Sequence, residues 1–396
     1  MTLLTGIGAV ASSGLYDVEE SLDAVGIIEH WGYPAETHTA ETEDGWLLDI
    51  HRIPHGKVDD GKTNKPVVIL HHGVECASDN FVLNLPNQSA GFVFADAGFD
   101  VWMPNSRGNT YTNHVKYNRL QPDFWKFTAD DMQKYDLPAV FDLIENVTGQ
   151  SSVYYVGHSQ GTVIMFAKLS DDPSFNRRLK KFFALGPGVQ FTGVQGPFRL
   201  ICQTDSLILG DVIWDLLPWT EFALGLLDQK TVDVLAALTC TLDIQREYCA
   251  NVFYWIGGKS IQTNVTRMNV FLTHIPAGTS TANIQRYCQS LNNGGFNWYK
   301  FPTEAENIAH YGSATPPSYD LSNVNVPIYL YTTPLDYFTT QQDLDGFLIP
   351  HLNDSLIVEY NRYPNYSHMD LIWGLNATAD IFSKIVNTIN EDLAGN

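Results

Sequence analysis

The sequence predicts an α/β fold, in which a mostly parallel central sheet carries helices on both faces. Three observations support this class. A buried strand at 152–156 runs directly into an apolar, helix-like stretch at 162–169. A second buried strand lies early, within 66–74, and two more, at 326–331 and 356–360, come late in the 396 residues. Short β-branched and aromatic runs are typical of buried strands, so one sheet must collect segments from across the chain.

The junction between the first strand and its helix carries Gly157-His158-Ser159-Gln160-Gly161. This pentapeptide fits the G-x-S-x-G pattern, in which a serine on a sharp strand-to-helix turn is presented as a nucleophile. Small residues are needed two positions before and after the serine, because the tight turn brings backbone too close for side chains. A chance match is the alternative, and the strand and helix on either side argue against it. We therefore predict Ser159 as the nucleophile of an α/β-hydrolase fold.

A serine hydroxyl becomes a good nucleophile when an imidazole takes its proton and a carboxylate orients that imidazole. In this fold the chain order is serine, acid, histidine. The strand at 326–331 is followed by a turn that ends at Asp336, and the last strand by a loop that contains His368. We predict His368 as the general base. We predict Asp336 as the orienting acid because the sheet fixes a carboxylate that follows a strand directly. The same stretch offers three alternatives: Asp343, Asp345 and Asp354.

Two backbone N–H groups are expected to bind the oxyanion of the tetrahedral intermediate. One belongs to Gln160, the residue after the nucleophile. The other belongs to Val74, which follows the early strand and Gly73. Glycine at 73 lets the backbone approach the substrate, although an ordinary turn is the alternative interpretation. Such donors are typically worth about 3 kcal/mol each in the transition state.

A long segment with helix-like apolar runs separates the nucleophile from the acid; the runs are 211–217, 222–227 and 232–238. We interpret 188–315 as an inserted helical cap, which would bury an acyl chain and exclude water. A second independent domain is the alternative, but the strands that complete the sheet come after this segment. The core is then 17–187 together with 316–396. Residues 1–16 are expected to be a signal peptide or a disordered start.

Composition excludes several classes. The chain has 44 acidic and 23 basic residues and a formal net charge of −21, whereas nucleic-acid binding requires a basic face. It has neither a zinc-type cysteine spacing nor an H-E-x-x-H motif, so we expect no metal and no cofactor. It has no run of 18 apolar residues, so we expect no transmembrane segment. Contact with neutral lipid depends on apolar surface and stays open.

Further stretches, spread from about Asp17 to Leu393, carry a family signal: Trp31–Pro34, Thr42–Gly45, Arg52–Pro54, Asn84–Ser89, Ala95–Trp102, Asn105–Thr110, Lys134–Ala139, Val156–Thr162, Pro276–Ser280 and His368–Gly374. In these the chain resembles the acid lipase family of animals, the group that contains gastric lipase and lysosomal acid lipase. The resemblance covers nearly the whole chain. It implies a lipid ester hydrolase in which Ser159, Asp336 and His368 form the triad, and Val74 and Gln160 the oxyanion hole.

Two places depart from the family pattern. The turn at Asp336 reads Thr-Thr-Pro-Leu-Asp-Tyr-Phe, where the family usually has a Gly-rich approach and Leu-Ala-Asp after the acid. His71 and Glu75 flank the oxyanion loop, where less polar residues are expected. We therefore predict an altered substrate preference.

Five cysteines are present: Cys76, Cys202, Cys240, Cys249 and Cys288. Cys240 and Cys249 are nine positions apart, which suits a local disulfide, and the resemblance implies the same pair. The odd count leaves at least one thiol, and Cys76 is our candidate for a free, inert one.

Six N-x-[ST] sequons begin at Asn87, Asn146, Asn264, Asn353, Asn365 and Asn376. They fit a secretory route, to the outside of the cell or to the lysosome. A glycan on Asn365 would obstruct the site because His368 is three residues away, so we predict that Asn365 is unmodified.

Together these features predict a serine hydrolase that cleaves carboxylic esters of lipids, such as triacylglycerols or cholesteryl esters, through an acyl-enzyme. The expected partners are the lipid ester itself and, peripherally, lipid droplets or micelles. Two alternatives stay open: a small-ester esterase or thioesterase with the same triad, and a noncatalytic lipid carrier that kept the fold. The intact triad argues against the carrier.

Overall fold

The computed structural model describes residues 17–204, 220–222 and 257–395. Three predictions fall outside these ranges. They concern the start of the chain at 1–16, the Cys240–Cys249 disulfide, and the helix-like runs of the cap, of which only Phe222 is described.

A nine-stranded sheet forms the centre of the described molecule. Its strands are β1 (Glu36–Glu41), β2 (Trp46–Ile53), β3 (Val67–His71), β4 (Asp100–Pro104), β5 (Thr112–His114), β6 (Val153–His158), β7 (Leu179–Leu185), β8 (Ile328–Thr332) and β9 (Ile357–Arg362). The order is β1-β2-β4-β3-β6-β7-β8-β9, and β5 pairs with β2. The pairings of β2 with β1, β4 and β5 are antiparallel, and those from β4 through β9 are parallel. The mostly parallel sheet predicted from the sequence is confirmed.

Helices connect and cover the strands. In chain order the described α-helices are α1 (Ala24–His30), α2 (Ala90–Asp96), α3 (Ala129–Asp131), α4 (Leu137–Thr148), α5 (Gln160–Asp171), α6 (Gly196–Thr204), α7 (Met268–His274), α8 (Thr281–Asn293), α9 (Glu304–Tyr311), α10 (Gln341–Asp343), α11 (Ile349–His351), α12 (Asp370–Trp373) and α13 (Ser383–Gly395). Single π-helical turns at Met132–Asp136, Leu344–Leu348 and Thr378–Phe382 extend α3 into α4, α10 into α11, and α13 at its start. Within the described ranges, no helix has the length and apolarity needed to cross a bilayer.

Both faces of the parallel strands are buried, because successive side chains of a strand point to opposite sides. On one face, Ile69 of β3 and Tyr155 of β6 belong to a core that includes residues of α4 and α5. On the other face, Leu70 and Val156 belong to a core with residues of α2 and α13. Helices therefore cover the sheet on both sides, as predicted.

The topology brings four loops together at one edge of the sheet. Strands β3, β6, β8 and β9 run parallel within one continuous stretch of the sheet. The loops after their carboxyl ends carry Val74, Ser159, Asp336 and His368, in that order. In open parallel sheets this edge is where ligands bind. Residues almost 300 positions apart therefore meet without any unusual path of the chain.

Candidate active site

Ser159 lies at a strained turn between β6 and α5. Its backbone has φ 53° and ψ −117°, and such conformations cost on the order of 1–3 kcal/mol in residues with side chains. Two contacts enforce it. The Ser159 N–H donates to the carbonyl of Leu185 on β7 (3.0 Å), and the Ser159 carbonyl accepts the N–H of Thr162 (2.8 Å). The turn thereby presents a half-buried hydroxyl at the carboxyl edge of the sheet.

The two glycines of the pentapeptide allow close backbone packing. A Cβ on Gly157 would lie 2.9 Å from the carbonyl carbon of Gly161. A Cβ on Gly161 would lie 2.5 Å from the carbonyl oxygen of His71, at the end of β3. Both distances are too short for a real Cβ atom, so the structure gives the same steric reason for these glycines as the sequence did.

His368 and Asp336 are in direct contact. The imidazole Nδ1 is 2.6 Å from Asp336 Oδ2, and both residues are buried. An ionised carboxylate only accepts hydrogen bonds, so it places the imidazole proton on Nδ1 and leaves the lone pair on Nε2. This is the tautomer that a general base beside a serine requires.

Asp336 is held by its own turn. Its Oδ1 accepts the N–H groups of Phe338 (2.7 Å) and Thr339 (2.8 Å), and its Oδ2 accepts the Thr339 hydroxyl (2.6 Å). The other acids of this stretch are occupied elsewhere or exposed. Asp343 binds the segment at 192–193, Asp345 pairs with Arg362, and Asp354 is exposed. Of these four carboxylates, the described structure brings Asp336 to the histidine.

The loop of His368 packs against the serine turn through His158. The rings of His158 and His368 are 4.8 Å apart, and His158 Nε2 donates to the His368 carbonyl at 3.1 Å. Burial lowers the pKa of His158 well below its usual value, so this ring adds no positive charge beside the base. Among the hydrogen bonds of the described residues none joins Ser159 Oγ to His368; without substrate this bond is often long or poorly aligned.

The loop after β3 lies directly against the serine. A Cβ on Gly73 would be 3.1 Å from Ser159 Cβ and 3.5 Å from Ser159 Oγ, so glycine lets this loop reach the nucleophile. Within the part of the chain that the structure describes, neither the Val74 N–H nor the Gln160 N–H has a protein acceptor. Gln160 also begins α5, and the N-terminal end of a helix favours negative charge. These two donors are available to an oxyanion.

His71, one of the two unexpected polar residues, supports the serine turn from within the core. Its ring nitrogens contact Ser106 Oγ (3.1 Å) and Tyr155 Oη (2.8 Å). The Tyr155 hydroxyl in turn donates to the Gly161 carbonyl at 2.8 Å. His71 is therefore used to hold the pentapeptide and has both nitrogens engaged away from the substrate side.

Glu75 is the second of the two unexpected polar residues, and it lies next to Val74 in the loop after β3. Its φ is 58°, and its Oε1 is buried with no hydrogen-bond partner among the residues that the structure describes. Desolvation raises the pKa of the Glu75 carboxyl well above its usual value; Glu221 acts in the same direction, and the Gly278 N–H and Arg119 oppose it. Burial at this position therefore shifts the carboxyl towards its neutral form.

The cysteines include a bond that the sequence analysis missed. Cys202 of α6 and Cys288 of α8 form a disulfide across 86 positions. Their spacing gave no local signal, which is why only Cys240–Cys249 was proposed. Cys76 is free and buried, and desolvation raises the pKa of its thiol to about 12. A thiol that stays protonated is unreactive, in agreement with the inert role expected for Cys76.

This arrangement is suited to acyl transfer. It offers a strained, presented hydroxyl, an imidazole held in the required tautomer, and two available backbone donors at the same sheet edge. Those are the parts needed to form and stabilise a tetrahedral intermediate. In the described ranges, no group of three or more His, Cys, Asp or Glu side chains is placed to hold a metal ion.

Two family models match the chain. The partial alpha/beta-hydrolase lipase region matches residues 24–85, and the alpha/beta hydrolase fold matches residues 66–201. Lipase lipl-1 of Caenorhabditis elegans is 41% identical over 387 residues, covering 95% of this chain and 93% of that protein. Human lysosomal acid lipase/cholesteryl ester hydrolase is 38% identical over 380 residues, covering 95% and 92%. Human gastric triacylglycerol lipase is 38% identical over 381 residues, covering 94% and 92%.

Solved structures agree on the architecture. Potato (Solanum tuberosum) epoxide hydrolase I superposes with a TM-score of 0.52 at 13% identity, covering 90% of this chain and 100% of that one. At so low an identity the likeness concerns the fold alone, so inferences about activity depend on the more similar relatives and on the site geometry.

Proposed function

This chain belongs to the α/β-hydrolase lipase family of the lysosomal acid and gastric lipases, and from that premise we propose how it works. It is a carboxylic-ester hydrolase that acts on lipid esters. Ser159 is the nucleophile, His368 the general base and Asp336 the orienting acid. The N–H groups of Val74 and Gln160 form the oxyanion hole.

The first half of the reaction acylates the serine. His368 Nε2 takes the proton of the Ser159 hydroxyl as its oxygen attacks the ester carbonyl. The carbonyl oxygen becomes the oxyanion of a tetrahedral intermediate and accepts hydrogen bonds from Val74 and Gln160. As the intermediate collapses, His368 gives its proton to the departing alcohol. The acyl group is left as an ester of Ser159.

The second half releases the fatty acid. Water enters, His368 takes one of its protons, and the hydroxide attacks the acyl carbonyl. A second tetrahedral intermediate forms on the same two donors. When it collapses, His368 returns the proton to Ser159 and the free enzyme is restored. Asp336 stays ionised throughout and stabilises the imidazolium that forms twice in the cycle.

One observation supports these roles most strongly, namely the 2.6 Å contact between His368 Nδ1 and Asp336 Oδ2 beside a serine at φ 53°. Both features cost free energy in a protein that only binds lipid, since one buries a carboxylate and the other strains the backbone. A noncatalytic lipid carrier has no use for either.

Apolar surface near the site supports contact with lipid. Phe198 of α6 lies 5.3 Å from the ring of Phe338, which lies 5.4 Å from the ring of His368. On the same helix Leu200 and Ile201 are 65% and 43% exposed. We propose that this helix, as part of a cap at 188–315, contacts droplets or micelles beside the site, because exposed apolar side chains bind apolar phases.

We also propose passage through the secretory pathway, to the lysosome or to the outside of the cell. The sequon asparagines Asn87, Asn146, Asn353, Asn365 and Asn376 are exposed. Asn264 is buried, and its amide donates to Asn84 and Gln88, so we expect Asn264 to carry no glycan. Asn365 is still predicted to be unmodified, because it is only three residues from His368 and a glycan there would obstruct the site.

The Ser159→Ala variant tests the nucleophile. It should lose nearly all hydrolysis of emulsified triolein while its thermal unfolding stays close to that of the wild type, since one half-buried oxygen is removed. A fluorescent organophosphonate should label the wild type and leave the variant unlabelled. Substantial turnover by the variant would contradict the proposed mechanism.

Substrate choice is measured with the wild type. Initial rates on triolein and cholesteryl oleate, each at acid and neutral pH, separate a triacylglycerol lipase from a cholesteryl ester hydrolase. Short soluble esters and thioesters are the comparison. Faster turnover of these than of either emulsified lipid would favour an esterase or thioesterase instead.

A further inference from the structure

One segment of the predicted cap is tied firmly to the core. Ser280 caps the start of α8 through the N–H of Asn283 (3.0 Å), and its hydroxyl also donates to the Phe127 carbonyl (2.5 Å). Asn283 Oδ1 accepts the N–H of Ala129 at 2.8 Å. These residues are buried, and the Cys202–Cys288 disulfide ties the same helix to α6. The start of α8 is therefore a fixed part of the structure around the site.

Helix α8 donates two hydrogen bonds to the side chain of Gln160. The Gln160 Oε1 atom accepts the amide of Asn283 (2.7 Å) and the hydroxyl of Tyr287 (2.8 Å). Asn283 and Tyr287 are four positions apart, so they lie on one face of α8. All three residues are at most 4% exposed, and in so dry a surrounding hydrogen bonds are stronger and more directional than in water. The Gln160 side chain is thus held by two donors that converge on one oxygen.

The residues just before α8 hold the other side of the oxyanion hole. The N–H of Ala277 donates to the Glu75 carbonyl (2.8 Å), and the N–H of Gly278 to Glu75 Oε2 (3.2 Å). Glu75 directly follows Val74 and keeps a positive φ. Residues 277–287 therefore contact the side chain of one proposed donor residue and the chain neighbour of the other.

We propose that Asn283 and Tyr287 are positioning residues for the reaction, acting through the Gln160 side chain to aim the Gln160 N–H at the oxyanion. This inference rests on the proposed function, because it requires an oxyanion at Gln160. A donor stabilises the transition state best when its direction is fixed before the reaction, since no free energy is then spent on reorienting it. In this proposal neither side chain contacts the substrate or Ser159. Both hold Gln160, whose N–H binds the oxyanion.

The test uses Asn283→Ala, Tyr287→Phe and the double variant in the full-length protein. Active sites are titrated with the organophosphonate, so that kcat refers to competent enzyme only. Complete loss of an oxyanion donor costs about 100- to 1,000-fold, so we expect about 10-fold lower kcat for each single variant and about 100-fold for the double variant. Each single variant keeps one donor on Oε1, which is why the double variant should fall further. KM should stay within about 2-fold, because the ground-state carbonyl gains little from the hole.

Gln285→Ala is the matched control. Gln285 lies on the same helix, and its Oε1 accepts the Tyr299 hydroxyl instead of holding Gln160. The Gln285→Ala variant should have the wild-type kcat per titrated site even if its melting temperature is lower. The rate of phosphonylation gives a second readout. It should fall in parallel with kcat in the Asn283 and Tyr287 variants, because the phosphonyl oxygen uses the same donors.

Three outcomes are decisive. A double variant whose kcat per titrated site matches that of Gln285→Ala would overturn the inference. If Asn283→Ala does not fold, Tyr287→Phe decides alone, since it removes a single hydroxyl; an unchanged kcat per site would again overturn it. If Ser159→Ala keeps its turnover, the proposed function fails first, and this result is separate from those of the α8 variants.

Discussion

The two halves of the proposed active site lie at the same sheet edge but are held in different ways. Besides its contact with His368, Asp336 accepts hydrogen bonds from residues within three positions, in the turn after β8. Gln160, on the oxyanion side, is bound by Asn283 and Tyr287, which are 123 and 127 positions away. Glu75 is likewise held by N–H groups some 200 positions distant.

The difference matters because local and distant contacts depend on different parts of the molecule. The carboxylate of Asp336 is held by its own turn. The inserted segment also contacts this side of the site, because the Gln195 N–H donates to the Tyr337 carbonyl (2.8 Å) and the His368 N–H to the Gly257 carbonyl (3.0 Å). The oxyanion side needs α8 to be docked, and with it the helix that the Cys202–Cys288 bond attaches. Changes at α8 should therefore reduce oxyanion stabilisation more than they disturb the hydrogen bonds within the Asp336 turn. The predictions below test that separation, beginning with the largest expected effect.

Asp336→Asn should give the largest loss, about 10⁴-fold in kcat with the fold preserved, because an amide donates to the imidazole and favours the wrong tautomer. Steady-state rates on triolein measure it. Asp345→Asn is the control, since Asp345 is an exposed partner of Arg362 in the same stretch. Similar rates for the two variants would mean that the acid has been misassigned.

Replacing Cys202 and Cys288 together by Ser should lower the free energy of unfolding by about 4 kcal/mol, because the bond closes a loop of 86 positions. Urea denaturation of the reduced and oxidised proteins measures this. In the folded double variant, the phosphonate should still label Ser159, since the hydrogen bonds of Asp336 come from its own turn and from His368. Cys76→Ala, which removes a free cysteine, is the comparison and should cost less. If both changes lowered the free energy of unfolding equally, the disulfide would not make the expected contribution to stability.

Thr339→Val should lower kcat by about 10-fold, because a hydrogen bond to a charged group is worth about 1.5–3 kcal/mol and part of it persists through the two N–H donors. The change keeps the shape of the side chain and removes the 2.6 Å contact to Asp336 Oδ2. Thr340→Val is the matched control, since its hydroxyl binds Asp343 instead. If both variants have wild-type kcat, the local turn holds Asp336 without this hydroxyl.

Glu75→Gln should have the smallest effect, visible as a change of pH dependence. Desolvation raises the pKa of the folded Glu75 carboxyl well above its usual value, so the folded state binds its proton more tightly than the unfolded state does. This contribution to stability is fully present below the unfolded pKa of about 4.3 and is lost as pH rises through the folded pKa.

The amide of Gln at position 75 does not titrate. When the pH is raised from about 4, the melting temperature of the Glu75→Gln variant should therefore fall less than that of the wild type. Scanning calorimetry across this range measures the difference. Glu43→Gln, at an exposed position, should keep the wild-type slope. An identical slope for Glu75→Gln would show that the carboxyl is not held neutral in the oxyanion loop.

Strands were predictable where short β-branched and aromatic runs stood out in the sequence. The four predicted from the sequence correspond to β3, β6, β8 and β9, each within about two residues at its start. The other five strands were not predicted; in β2 and β7, for example, charged residues interrupt the pattern. In the structure, Arg52 of β2 pairs with Asp100 of β4, and Lys180 and Lys181 of β7 lie over the rings of Tyr154 and Tyr329. Partners on neighbouring strands accommodate those charges, and a single sequence does not display them.

Candidate site residues could be proposed from the sequence where a motif or a strand end marked them. Ser159 stood in a pentapeptide, and Asp336 and His368 followed strands in the expected order. Asn283 and Tyr287 carried no such mark, because a buried amide and a buried phenol on a helix look like ordinary core residues. The Cys202–Cys288 bond was missed for a related reason: its partners are 86 positions apart, and spacing favoured the near pair.

The sequence alone determined the fold class, the family and the order in which the proposed nucleophile, acid and base follow their strands. Local patterns of about five residues indicate each of these features. Tertiary structure decided which cysteines pair and what holds the proposed oxyanion donors in place. Each of those outcomes depends on contacts between segments far apart in the chain. Such contacts form only when the sheet has brought the segments together, and no local pattern encodes them.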